Sequence, residues 1–280
     1  MRTETLPTAA HEAAEERCGP DTKFTLITDR RGSAVWKGRG ARGIVAVKSG
    51  TDEGAAITAR ESAVLAAMAP GRLLASGSAG HTAWMITPWH SGPSTWDALR
   101  GVRHRQVDPE AARSSVVDLC RAVAQLHAAG WVHSDLQPGH AIHTGQGVVL
   151  IDCSWAWHYA RLAPSRMFRG GMPHLLAPEL AAAVEAGMSP VAPDPAAETY
   201  TLAASLWWAI TGDWPLDYAA AGVDPSELSA AQLRKAIGLG QFRVRLSSTW
   251  PAVQDVLRAV LTEPPGRRLT ASALAAAVAR

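Results

Sequence analysis

The periodicity of this chain changes once, at Gly92, and that change restricts its fold more than any single motif. From Lys23 the apolar residues come in short runs, KFTLITDR, SAVWKGR and GIVAVKSG, broken by glycine, arginine and aspartate as in antiparallel hairpins. EGAAITARESAVLAAMA then sets Ile57, Val64, Leu65 and Met68 at helical spacing before Pro70 and Gly71 stop it. RLLASGSAGHTAWMITPW reads as two more strands turning at Ser78 to Gly80. Beyond Gly92 the pattern is helical: PSTWDALR, then a long helix from Pro109 to Gly130, then helices separated by proline and glycine to Arg280. Only AIHT and VVLIDC, around the Gly145–Gln146–Gly147 turn, read as strands there. The expected fold class is α+β in two lobes. An N-terminal extension (1–23) precedes a five-stranded antiparallel sheet with one helix (24–92) and a larger, mainly helical part (93–280).

At 280 residues and 47% hydrophobic content, the chain can bury two such lobes sharing a cleft. Its 27 Lys+Arg against 25 Asp+Glu leave no large basic field, which speaks against nucleic acid or an anionic membrane as the main partner. The opening MRTETLPTAAHEAAEER lacks the apolar run of a signal peptide, and TLAASLWWAITG is too short to span a bilayer. Cys18, Cys120 and Cys153 are odd in number and too far apart for metal-binding pairs, so a cytoplasmic location without a disulfide framework is expected. No sequence signature indicates an oligomeric state.

Chemistry concentrates in a few stretches. WVHSDLQPGHAIH surrounds one carboxylate, Asp135, with His133, His140 and His143. VAVK ends an apolar strand on Lys48, and Glu61 sits in the helix that follows. IDCS closes another apolar strand on Asp152, and GMPHLLAPE runs from Gly171 to Glu179. In their order along the chain, Lys48, Glu61, Asp135, Asp152 and Gly171 to Glu179, and in this context the five stretches resemble the protein-kinase-like fold, from about residue 24 to the end, in a divergent bacterial serine/threonine form.

The resemblance implies ATP-dependent transfer of phosphate to a Ser or Thr hydroxyl of a protein or peptide acceptor, with Mg2+ or Mn2+. Lys48 would contact the α- and β-phosphates and be held by Glu61, Glu53 being too close in sequence to compete. Asp135 would be the general base, since a carboxylate can orient an acceptor hydroxyl and take its proton. Asp152 would bind the metal, together with His140, which stands where the family has asparagine. Gly32 and Ser33 would approach the phosphates. Thr87 would be the gatekeeper, Pro88 would offer its carbonyl and His90 its amide and carbonyl to adenine, and Val35, Ala46 and Ile142 would wall the ring. Glu179 would pair with Arg267, Arg268 being the nearby alternative, and Glu198 would anchor the loop of Asp135. Trp207 and Trp208 are expected in the core, as is Cys153.

Several positions depart from the family. TDRRGSAVWKG carries one glycine where three are common, so Arg30 or Arg31 would supply charge in place of close backbone approach. Imidazole is a poorer partner for magnesium than for softer ions such as manganese, so His140 either ligates a different metal or stays outside its ligand set. Ser134 replaces the usual arginine, Gln137 the usual lysine and Met172 the usual threonine, while Ser165 is the hydroxyl left upstream. These departures keep two alternatives open, a pseudokinase that binds without transferring and a small-molecule hydroxyl kinase. A natural-product precursor peptide is one acceptor that the divergent loop suggests.

Overall fold

The computed structural model describes residues 5–30 and 32–280 and divides them into two compact units, up to His90 and from Ser91. The chain is α+β, with a five-stranded antiparallel sheet in the first unit. Among the described residues no helix is long and apolar enough to cross a membrane.

The first unit begins with a helix, α1 (Thr8–Cys18), followed by β1 (Lys23–Arg30), β2 (Ser33–Gly40), β3 (Gly43–Thr51), α2 (Glu53–Met68), β4 (Ala75–Ala79) and β5 (Thr82–Pro88). The strands lie in the order β1-β2-β3-β5-β4. Neighbours along a strand project to opposite faces. Val45 and Val47 of β3, with Ile86 of β5, pack on one face against Ala10, Ala14 and Cys18 of α1. Lys48 projects to the other, where it meets α2. One helix was expected on this sheet and two are present. The buried positions of α1 are alanines and a cysteine, so its contact face carries almost no hydrophobic contrast in sequence. Arg42 holds the end of α1 by donating to the carbonyls of Glu15 and Glu16 at 3.0 and 2.9 Å.

The second unit contains α3 (Thr95–Ala98), α4 (Arg100–Arg103), α5 (Arg113–Ala128), β6 (Trp131–Val132), β7 (Ala141–Thr144), β8 (Gly147–Leu150), β9 (Trp157–His158), α6 (Pro178–Glu185), α7 (Pro195–Thr211), α8 (Ala230–Gly238), α9 (Pro251–Thr262) and α10 (Ala271–Val278). Its centre is α7. Asp194 caps the first turn by accepting from the Ala197 amide at 2.7 Å, Pro195 occupies the first helical position, and Gly212 closes the helix at φ +82°. Between these stops Tyr200, Leu202, Leu206, Trp207 and Ile210 are buried, and each aliphatic among them stabilises the unit by about 1.5–3 kcal/mol. Trp208 is partly buried against the same core. AIHT and the first part of VVLIDC form the β7–β8 hairpin, whereas the two-residue pair β6 and β9 was not anticipated. All three cysteines are buried, and none is in a disulfide.

Candidate active site

In the first unit the register of three strands gathers the expected nucleotide residues. Val35 lies opposite Lys48, and Ala46 opposite Thr87. Residues directly opposite each other in an antiparallel pair share a face, so Val35, Ala46, Lys48 and Thr87 project together. Lys48 Nζ stands 2.6 Å from Glu61 Oε2, with the lysine side chain 14% and the glutamate 4% exposed. Glu53 begins the same helix and takes no part in this pair. At the end of β5, Pro88 pairs in register with Val45, and the Trp89 amide donates to Ile44 at 3.3 Å. The next residue, His90, has its imidazole pushed below the usual range, first by burial and then by the charge of Arg72.

Arg30 and Ser33 are already a strand pair, so two residues join β1 to β2. Arg31 lies outside the described residues. Gly32 takes φ +72°, and its carbonyl accepts from the Thr51 amide at 2.9 Å. A Cβ on Gly54, in the first turn of α2, would sit 2.0 Å from that carbonyl oxygen. The turn is therefore seated on the helix, a contact that only two glycine backbones permit. Ser33 Oγ is buried without a hydrogen-bond partner among the described residues.

In the second unit, α7 supports the segment from His133 to Leu136. Glu198 is 1% exposed and accepts from His127 Nε2 at 2.8 Å, the His133 amide at 3.1 Å and the Ser134 amide at 2.6 Å. Ser205 Oγ donates to the Leu136 carbonyl at 2.7 Å. His133 is fully buried, and burial is the main reason its imidazole is held below its usual range. Its Nε2 donates to the Ile151 carbonyl at 3.0 Å, tying this segment to the one that carries Asp152. Ser134 and Asp152 both adopt left-handed backbone, φ +70° and +56°, at a cost of about 1–3 kcal/mol each. Such strain persists only where the surroundings impose it, and here they do so on both sides of one cluster.

Within that cluster, Asp135 Oδ1 accepts from Gln137 Nε2 at 3.0 Å. His140 Nδ1 donates to the Asp135 main-chain carbonyl at 2.8 Å, and Nε2 stands 3.5 Å from Asp152 Oδ2. Ser154 Oγ donates to Asp152 Oδ1 at 3.1 Å. Ligand atoms of Asp135, His140 and Asp152 all lie within 4.8 Å of one another. Two carboxylates and one imidazole at this spacing suit a divalent cation. Ile142 follows in β7, opposite Val149 of β8.

The segment after β9 passes close to Asp135. Gly171, at φ +66°, has no side chain where a Cβ would lie 2.9 Å from Asp135 Oδ1. Ser165 is buried, its Oγ accepting from the Met167 amide at 3.1 Å, so the hydroxyl expected upstream serves a turn. Glu179 pairs with Arg268 rather than Arg267. Arg268 Nη2 donates to Oε2 at 2.9 Å, Nη1 donates to Oε1, and Nε holds the Glu263 carbonyl at 3.1 Å. The neighbouring turn Pro265–Arg267 orients the second of the two adjacent arginines inward. His127, Gly54 and the close approach of Gly171 were missed in sequence, because each acts through a tertiary contact.

No protein-family model matches the chain. Over 135 residues, 48% of its length, it is 29% identical to serine/threonine-protein kinase PknK from two strains of Mycobacterium tuberculosis. It is 28% identical over the same length to PknK of Mycobacterium bovis. The matched stretch covers 11% of each of those proteins. The chain is thus distantly similar to serine/threonine protein kinases.

Proposed function

We propose that this chain transfers the γ-phosphate of ATP to a Ser or Thr hydroxyl of a protein or peptide. The observation that carries the reading is the convergence of the Asp135 and Asp152 carboxylates on His140, within 4.8 Å. In this reading Asp135 takes the proton of the acceptor hydroxyl, with Gln137 fixing the direction of its carboxylate and His140 holding its main chain. Asp152 and His140 hold a divalent cation, which would neutralise charge on the donor phosphates. Lys48, steadied by Glu61, binds the α- and β-phosphates, Gly32 and Ser33 approach them, and Val35, Ala46, Thr87, Pro88, His90 and Ile142 receive the adenine.

Measurement of phosphate incorporation and ATP affinity in the wild type, Asp135→Asn and Asp152→Asn tests this. Asp135→Asn keeps size and hydrogen bonding but cannot accept a proton, so ATP binding is expected to survive while the rate falls about 10²- to 10⁴-fold. Asp152→Asn is expected to weaken both. Equal rates in the wild type and Asp135→Asn would remove Asp135 from the chemistry. A second reading, a scaffold that binds without transferring, is favoured by the turn at Gly32, which is closed onto α2. Absence of transfer to any acceptor, with a bound partner protein retained, selects it.

A further inference from the structure

We infer that His140 makes the cation site a nitrogen-containing one that takes a first-row transition ion, manganese being the probe, in preference to magnesium. The inference rests on the proposed role of Asp152 as a cation ligand and adds which cation the site selects. His140 Nδ1 lies 2.8 Å from the main-chain carbonyl oxygen of Asp135. A carbonyl oxygen only accepts, so Nδ1 carries the ring hydrogen, and in the neutral imidazole Nε2 presents a bare lone pair. That lone pair faces Asp152, whose Oδ2 is 3.5 Å away.

Two donor atoms each about 2.1 Å from one ion lie roughly 3.0 Å apart at an octahedral angle and roughly 3.4 Å at a tetrahedral one. His140 Nε2 and Asp152 Oδ2, 3.5 Å apart, stand within about 0.5 Å of the octahedral spacing that manganese takes. Asp135 supports the arrangement twice, since its carbonyl fixes which ring nitrogen is free and its Oδ2 lies 3.7 Å from His140 Nδ1.

The chemistry of the donor then decides the ion. Magnesium is hard, holds oxygen ligands and gives up water reluctantly. Imidazole binds first-row transition ions better, with affinity rising from manganese toward copper. One nitrogen among carboxylate oxygens therefore shifts selection away from magnesium without abolishing an oxygen-rich site. His140 acts as a specificity-determining ligand.

The test is manganese binding to the full chain, with magnesium as competitor, read by pulsed electron paramagnetic resonance. In the wild type, manganese is expected to bind at least about tenfold more tightly than magnesium, and the spectrum to carry modulation from a directly bound nitrogen. In His140→Asn the nitrogen modulation should vanish and the preference fall toward parity, with His140→Gln as the substitute if the asparagine variant does not fold. The wild-type spectrum decides without either variant: bound manganese lacking nitrogen modulation overturns the inference. Nitrogen-coupled manganese in a chain that binds no ATP upholds it while removing the phosphotransferase reading. Transfer supported equally by both metals, with no nitrogen modulation, overturns it and leaves that reading intact.

Discussion

Glu198 does with one side chain what a short loop cannot do for itself. It satisfies the amides of His133 and Ser134 and the ring of His127 from inside α7, which lets Ser134 hold a backbone conformation that costs about 1–3 kcal/mol. Glu198→Ala would leave one buried and two partly buried donors without this acceptor. That variant is expected to lose about 3–5 kcal/mol of stability, with hydrogen exchange rising first at residues 133–136. Unchanged exchange there would remove Glu198 as the anchor. His174 is a second residue whose surroundings set its behaviour. It stacks on Trp214 at 4.1 Å, its Nδ1 lies 2.9 Å from the Tyr218 hydroxyl, and burial lowers its pKa from the ordinary 6.5 to about 4. The unfolded chain therefore binds a proton at His174 that the folded chain refuses. Its contribution is fully present above about pH 6.5 and is lost as the pH falls through that value toward about 4. The drop in melting temperature across that window should be smaller in His174→Gln than in the wild type, and an equal drop would exclude His174 as a source of acid sensitivity.

Elements differ in how much of themselves they show in sequence. The strands of the first unit and the long helices of the second announce their periods, and the Lys48–Glu61 pair follows once β3 and α2 are placed. Helix α1 does not, since small residues at its buried positions exchange hydrophobic contrast for close approach to the sheet. Gly54 is hidden for the opposite reason. A glycine in the first turn of a helix reads as a weakness, yet here it admits the Gly32 carbonyl. Gly54→Ala makes the two effects compete. Alanine improves helix propensity by at most about 1 kcal/mol. Its Cβ would meet backbone at 2.0 Å, and such overpacking costs about 1–3 kcal/mol or more because main chain cannot rotate away. The variant is expected to melt at lower temperature and to bind ATP more weakly, and an equally stable variant with unaltered affinity would show that the turn moves freely of α2.

At the scale of the whole molecule, the order of the chemical residues along the chain was legible, and the departures from the family pattern were legible as substitutions. What each substitution does was not. His140 reads as a missing asparagine until its Nδ1 is seen on the Asp135 carbonyl, and Gln137 as a missing lysine until its amide is seen on the Asp135 carboxylate. The choice between Arg267 and Arg268 turned on one residue of register within a short turn, which no periodicity resolves. Composition is silent on such contacts, and only the fold says which atoms face one another.

The seat of Gly32 on Gly54 makes a lever of α2. Gly54 and Glu61 belong to one rigid helix and, at about 1.5 Å per residue, stand roughly 10 Å apart along its axis. A displacement that presses the β1–β2 turn onto Gly54 would bear on the near end of that helix, and the same helix carries Glu61 farther along. What bears on the turn there bears on the helix that holds the partner of Lys48, with no loop between the two points.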